Sequence, residues 1–186
     1  MKKFELTREF ITFLGRKLFR IKALVEFGDV KAGELGGYVE KEENINHEGN
    51  AWVYGNARVY GDARVYGNAR VSGDARVYGN ARVYGDAWVS GDAWVYGNAR
   101  VYGDAWVVKQ EDIIFTAAKF GTIFRTTTAY RTTDGIRINC GCFSGNLEEF
   151  REQIIQTRDG RMREKYLHHA DEIEMYFDLD LEKEEK

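Results

Sequence analysis

Apolar and polar positions alternate with a period of six residues from Leu35 to Val108, the most regular part of this chain. A typical unit is VYGNAR, residues 53–58; Val recurs at position one from Val53 to Val107 and Ala at position five from Ala51 to Ala105. Gly followed by Asn or Asp at every such repeat would destabilise an α-helix repeatedly. The same residues tolerate the positive φ angles of a sharp bend. The pattern therefore predicts a short strand and a corner, repeated as a solenoid.

Three such units close a triangular coil of 18 residues in which valine and alanine point inward. Twelve units from 35 to 106 make 72 residues and four coils, a prism roughly 19 Å tall at the usual strand spacing. In this register residues 35–40 are the first unit. Ile45 takes position five of the second unit, and His47 takes inward position one of the third.

The flanking segments predict different structure. Residues 1–34 read as an N-terminal hairpin cap, with strands on either side of Gly15-Arg16. Residues 109–177 read as a small α+β extension of strands followed by two helices, and the box formed by Asn146 and Glu149 marks the start of the first helix. We expect residues 178–186 to be a disordered acidic tail. The predicted strands and helices of the extension are 112–117, 122–132, 136–140, 147–157 and 161–177.

The aliphatic-x-x-x-small-x unit resembles that of hexapeptide-repeat proteins. The wider layout resembles a family of short hexapeptide-repeat proteins from low-GC Gram-positive bacteria and their phages, and the segments that carry this likeness are 27–39, the repeated YGNARV run, 133–136 and 140–145. The resemblance implies an all-β solenoid, namely a single-stranded left-handed parallel β-helix with a hairpin cap and an α+β extension. It also implies a homotrimer and a phage or prophage origin.

Composition limits which partners and which cellular compartment we expect for the protein. The net charge of -3 gives no general basic field, so we expect no duplex nucleic acid as a partner. No apolar run has the length of a membrane span, and the Lys2-Lys3 start is not followed by the apolar run of a signal peptide. Only two cysteines occur, which suits a reducing compartment. We therefore expect a cytoplasmic protein that does not contact membranes.

Outward side chains at positions two and six stack in columns, which provide the candidate ligand site. An arginine column beside tyrosine rings suits an anion that bears an aromatic base, such as a nucleotide. The alternative is that stacked tyrosine and arginine only stabilise the sheet. The predicted ligand-binding residues are Arg64, Arg82, Arg100, Tyr60, Tyr78 and Tyr96.

Three of the four tryptophans fall in one column and predict an interface. An aromatic patch of this size exceeds what soluble monomers usually expose. We expect this patch to join the subunits of a homotrimer. The predicted interface residues are Trp52, Arg70, Trp88, Trp106, Tyr66, Tyr84 and Tyr102.

Enzyme chemistry has few candidate residues. Many left-handed β-helices are acyltransferases with a histidine base, but the only histidines are His47, His168 and His169, all outside the regular coils. Cys140 and Cys142 would need a further ligand from the histidine pair to hold a metal, so we expect a structural role for them. We predict no catalytic residue, no metal and no cofactor.

Three functional hypotheses remain open. The first is a non-enzymatic oligomeric binding protein that sequesters a nucleotide-like anionic signal or, in a phage setting, a host defence protein. The second is an acyltransferase relative. The third is a purely structural or assembly module.

Overall fold

The computed structural model describes residues 1–120 and 123–184, with side chains for 1–116 and 126–177. The chain forms two compact units, Met1–Gln110 and Glu111–Lys186. The first unit contains the repeat and the segment before it. The second unit contains an antiparallel sheet and two helices.

The repeat forms the predicted parallel β-solenoid of about four turns. Each strand contains one outward residue, Arg or Trp, and the inward Val that follows it. Strands from successive coils pair in parallel, 18 residues apart, as Val53 does with Val71. The left-handed winding stays a prediction, because strand pairing is the same for either hand. The strands are β4 Trp52–Val53, β5 Arg58–Val59, β6 Arg64–Val65, β7 Arg70–Val71, β8 Arg76–Val77, β9 Arg82–Val83, β10 Trp88–Val89, β11 Trp94–Val95, β12 Arg100–Val101 and β13 Trp106–Val107.

The interior of the solenoid consists of the predicted valines and alanines. Every position-one valine from Val53 to Val107 has no exposed surface, and the position-five alanines from Ala51 to Ala105 are at most 1% exposed. Glycine makes the corners possible, as at Gly73, where φ is +65° and an added Cβ would lie 2.9 Å from the backbone nitrogen of Gly91. A side chain is therefore excluded by both backbone conformation and space.

The backbone hydrogen bonds between coils all run in one direction, so different backbone groups are left unpaired at the two ends of the solenoid. Each coil donates N–H groups to carbonyls of the next coil, as Trp52 does to Ala69. The first coil is thus left with unused acceptors, which must be satisfied when buried. The side chains of Lys3 and Asn44 donate to these carbonyls, and at the far end the Gln110 side chain accepts from the Trp94 amide at 3.0 Å.

Lys3 makes this contribution from a buried position. Its ammonium lies 2.9 Å from the Ala51 carbonyl, 3.2 Å from the Gly49 carbonyl and 4.6 Å from the centre of the Phe27 ring. Burial lowers the pKa of Lys3 to about 8, because charged amines are poorly solvated there. Lys3 therefore satisfies the first coil as a hydrogen-bond donor to the backbone.

The register of the first coil differs from the prediction. Val39 pairs with Val59 and Ile45 with Val65, both 20 residues along, whereas later coils repeat every 18. The corner at 46–50 is longer than its counterparts and holds the additional length. Ile45 therefore occupies position one rather than position five, and His47 is displaced from the interior to a half-buried place on the rim.

The N-terminal segment forms the predicted hairpin and adds to one sheet of the solenoid. Strand β1 (Phe4–Phe13) pairs with β2 (Arg16–Ala23), and β2 pairs with β3 (Leu35–Val39), the first strand of the solenoid. These strands extend the sheet that continues through β5, β8 and β11. The hairpin thus protects one end and one side of the repeat.

The second unit is a four-stranded antiparallel sheet with two helices. The order in the sheet follows the chain, and α1 starts at the predicted capping box, where the Asn146 side chain accepts from the Glu149 amide. The prediction omitted the short strand Phe143–Gly145. Helix α2 also continues past its predicted end at 177 to Glu184, into the segment 178–186 predicted as a disordered tail; residues 185–186 of that tail lie outside the described residues. The elements are β14 Ile113–Phe120, β15 Ile123–Thr132, β16 Gly135–Cys140, β17 Phe143–Gly145, α1 Leu147–Thr157 and α2 Gly160–Glu184.

None of the helices in the described residues combines the length and the apolar character needed to span a bilayer.

Candidate ligand-binding site

The outer surface of the solenoid divides into three faces, and their composition corrects the predicted grouping. Position two follows the strand before the Gly corner, so it shares a face with position six of the same strand. The prediction paired tyrosines with arginines across a corner. The arginine face carries Arg64, Arg82 and Arg100 with Tyr66, Tyr84 and Tyr102; the hairpin face carries Arg58, Arg76 and Trp94 with Tyr60, Tyr78 and Tyr96; the tryptophan face carries Trp52, Arg70, Trp88 and Trp106 with Tyr54, Ser72 and Ser90.

The arginine face has a regular ladder of rings. The centres of the Tyr66 and Tyr84 rings are 4.7 Å apart, and those of Tyr84 and Tyr102 are 4.6 Å apart. The first two rings are nearly parallel, with an interplanar angle of 4°. Burial raises the pKa of Tyr66 and of Tyr84, so both phenols are neutral at pH 7. The ladder is a rigid aromatic stack beside a positive column.

Two arginines of this face form no ion pair within the described part of the chain. Arg64 and Arg82 are exposed and are neighbours in the β-ladder, and their guanidinium groups make no hydrogen bond or ion pair with any described residue. Asp62, the nearest corner carboxylate in sequence, pairs instead with Lys41 at 2.7 Å. The strands that carry them lie about 4.8 Å apart, and like charges on neighbouring strands repel each other. A bound anion would relieve that repulsion.

A groove of about 550 Å³ lies at the N-terminal end of the arginine face. It exists because the first coil lacks the long side chains of later coils. In the observed register Asn44 stands where Arg64 stands one coil on, and Asn46 stands where Tyr66 does. Asn44 turns inward to the Gly61 and Ala63 carbonyls, and Asn46 accepts from the Glu48 amide. The lining residues are Glu42, Glu43, Ile45, Asn46, His47, Arg64, Val65, Tyr66 and Arg82.

The tyrosines predicted to bind the ligand lie on the hairpin face. Tyr60 is buried there, in contact with Phe13 of the hairpin at 5.8 Å between ring centres. Tyr78 and Tyr96 continue that column at 5.0 and 5.3 Å. The guanidinium of Arg76 lies between the rings of Phe13 and Trp94. The structure therefore separates Tyr60, Tyr78 and Tyr96 from the arginine column, and Tyr66 and Tyr84 take their place.

The tryptophan face differs from the predicted interface in two respects. Trp52 is fully buried between Phe4 and Phe27, so it belongs to the core under the cap. Tyr66, Tyr84 and Tyr102 lie on the arginine face. What remains exposed is Trp106, 45% accessible, with the Trp88 ring 5.0 Å away and Arg70 over Trp88 at 5.7 Å. Arg70 also pairs with Asp29 at 3.3 Å.

The histidines have structural partners. His47 stacks on Phe4 at 4.5 Å, and its Nδ1 accepts from the Lys3 amide at 3.2 Å. His169 is buried, with Nε2 2.7 Å from the Thr116 hydroxyl and Nδ1 3.2 Å from Glu172. His168 is exposed and lies 3.4 Å from the same glutamate.

The cysteines are free thiols with different environments. Cys140 is buried and accepts a hydrogen bond from Thr127, while Cys142 is exposed. Within the described residues no group of three or more His, Cys, Asp or Glu side chains is placed to hold a metal ion.

Comparison with known proteins supports the repeat architecture. A family profile described as the YdcK β-solenoid repeat matches residues 51–65, 63–77, 75–91 and 93–108. These matches cover the regular coils and less than half of the chain, so the similarity concerns the repeat. A search of curated proteins finds no match. The chain is thus a repeat β-solenoid protein, and its function must be argued from its own surface.

Proposed function

We propose that this chain is a non-enzymatic binding protein that captures a nucleotide-like anion in the groove of the arginine face. The observation that carries the proposal is the pair Arg64 and Arg82, which line the groove and whose guanidinium groups form no ion pair with a described residue. Each guanidinium presents several N–H donors suited to the oxygens of a phosphate. The adjoining Tyr66 ring offers a surface for an aromatic base. Arg100 extends the positive column beyond the groove.

The environment of His47 favours a binding function over a catalytic one. His47 lines the groove, but its Nδ1 is engaged by the Lys3 amide and its ring is stacked on Phe4. Such an imidazole is held by the cap and is poorly placed to act as a mobile general base. An acyltransferase relative is therefore the second candidate. The resemblance to phage hexapeptide proteins favours a host immune signal as the anion; a host defence protein is the macromolecular alternative.

Isothermal titration calorimetry with mono-, di- and cyclic nucleotides tests this proposal. We expect wild-type protein to bind at least one of them, and Arg82→Ala to weaken that binding by about 10- to 100-fold, the effect of losing one charge-assisted hydrogen bond of ~1.5–3 kcal/mol. Affinity should also fall as salt is added, because exposed ionic contacts are screened.

The control is Arg8→Ala, which removes one exposed positive charge from the hairpin, outside the groove. It should bind like wild type. Absence of binding to every nucleotide would contradict the proposal. So would an Arg82→Ala protein that binds as tightly as wild type at both low and high salt.

We also propose that the chain assembles as a homotrimer through Arg70, Trp88 and Trp106. Exposed tryptophan and arginine are enriched at the centres of interfaces, and the small Ser72 and Ser90 beside them leave room for a partner surface. Trp106→Glu should yield monomers, because a buried unpaired charge is strongly unfavourable. Light scattering measures the mass. A monomeric wild type would contradict assembly, and a Trp106→Glu trimer would move the interface elsewhere.

A further inference from the structure

We propose that the groove takes the base of a guanine nucleotide, stacked on Tyr66 as the missing fourth ring of the tyrosine ladder and held at its edge by Glu43. This inference rests on the proposed function and names the ligand for the same site. It is independent of the homotrimer.

The ladder ends where an aromatic ring is absent from the first coil. At the same position two, the first coil supplies Tyr54 on the tryptophan face and Glu40 on the hairpin face. On the arginine face it supplies only Asn46, whose side chain is turned to the Glu48 amide. Tyr66 therefore lines an open groove on one side and stacks on Tyr84 on the other. A planar base placed there continues the ladder at about the 4.7 Å spacing of the rings below it.

The phosphate of such a ligand would lie beside Arg64. Asn44 replaces the arginine of the column in the first coil and turns toward the backbone, so the space beside Arg64 is not filled by a further guanidinium. Arg64 and Arg82 line the same groove as Tyr66. A nucleoside phosphate whose base stacks on Tyr66 can thus reach both guanidinium groups, which bind the anion as a pair.

The carboxylates of the groove decide which base fits. Glu42 pairs with Lys2 at 2.6 Å. Glu43 lines the groove and makes no hydrogen bond or ion pair with any described residue. An ionised carboxylate only accepts hydrogen bonds. Guanine presents two adjacent donors, N1–H and the 2-amino group, which a carboxylate accepts together. Adenine presents one amino donor beside the N1 lone pair, which a carboxylate repels.

Competing bases are disfavoured by the same groups. Arg64 and Arg82 hold the phosphate, so the Glu43 carboxylate alone selects the base at its Watson–Crick edge. That carboxylate complements the two adjacent donors of guanine. Pyrimidines offer a smaller ring to Tyr66 and stack less on it. The predicted order of affinity is guanine, then adenine, then pyrimidine nucleotides.

Calorimetric titration of GMP and AMP into wild type and two variants tests this inference. We expect wild type to bind GMP at least tenfold more tightly than AMP. Tyr66→Leu should weaken GMP binding by about tenfold or more, since base–aromatic stacking contributes that much per base. Glu43→Gln should bring the GMP-to-AMP ratio below about threefold by weakening GMP, because an amide accepts through one oxygen only.

The matched control is Tyr96→Leu, the same change at an exposed tyrosine of the hairpin face, which should bind GMP like wild type. Equal affinity for GMP and AMP, or an unchanged ratio in Glu43→Gln, would overturn the guanine assignment while leaving anion binding intact. Glu43 is exposed, so its variant should fold like wild type. Absence of binding to both nucleotides and to inorganic phosphate would overturn the proposed function as well.

Discussion

Trp52→Ala should destabilise the protein by about 3–5 kcal/mol, the usual cost of removing a fully buried tryptophan. The Trp52 ring has no exposed surface and lies 5.4 Å from the Phe27 ring and 6.0 Å from the Phe4 ring. Its indole N–H has no hydrogen-bond partner among the described residues. Removal of that unsatisfied donor offsets part of the loss, so we expect a value near the lower end. Urea denaturation followed by far-UV circular dichroism measures the change.

The control for this prediction is Trp94→Ala, because Trp94 holds the same position six and is 41% exposed. It should cost only about 0.5–1 kcal/mol, the value of its cation–π contact with Arg76. Equal destabilisation by the two variants would show that Trp52 is not part of the core under the cap, and would restore it to the predicted interface.

Ala75→Leu should destabilise the solenoid by about 1–3 kcal/mol or more, because a narrow interior cannot accept the added methylenes. Ala75 is fully buried, and the coils on either side place Ala57 and Ala93 against it in the same column. The neighbours in this column are alanines, so no flexible side chain can move aside to make room for a leucine. A shift of the urea midpoint measures the effect.

Ser72→Leu is the matched control, since it puts the same leucine on the outer surface of the same unit, where the site is half-buried. Substitutions at such positions usually change stability by within about 0.5 kcal/mol. If Ala75→Leu denatured at the same urea concentration as Ser72→Leu, Ala75 would not point into the solenoid and the register of the coils would be wrong.

Most of the fold was predictable because strict periodicity leaves few alternatives. Val and Ala at fixed positions predict which side chains are buried, and all of them are. The helix start at Asn146 was predictable from a local hydrogen-bond pattern that the structure contains. Both signals are short-range. The Val and Ala spacing determines the strand and corner, and the Asn146 and Glu149 pair determines where the helix begins.

The first coil was mispredicted because its signal is weak. The longer corner at 46–50 contains no Val or Ala, so spacing by six ran through it without contradiction and placed His47 inside. The pairings of Val39 with Val59 and of Ile45 with Val65 show the longer repeat. Asn44 would have been informative, since a buried asparagine at the end of a solenoid can satisfy unused carbonyls.

The sequence predicted the arginines of the candidate site but not its tyrosines. The column of Arg64, Arg82 and Arg100 followed from the repeat. Its tyrosine neighbours were misassigned because the unit was divided at valine, whereas the strand continues from position six to position two. The burial of Trp52 depends on Phe4 and Phe27, which are distant in sequence, so no local pattern indicates it. The groove itself arises because the first coil places Asn44 and Asn46 where later coils have arginine and tyrosine, a register that the regular spacing concealed.

The most direct test of the account is a crystal structure of the protein with GMP at a concentration well above the Kd measured by calorimetry. We predict the guanine ring stacked on Tyr66, its Watson–Crick edge against Glu43, and the phosphate within hydrogen-bond distance of Arg64 and Arg82. A nucleotide bound on the hairpin or tryptophan face, or a groove that stays empty at that concentration, would contradict it.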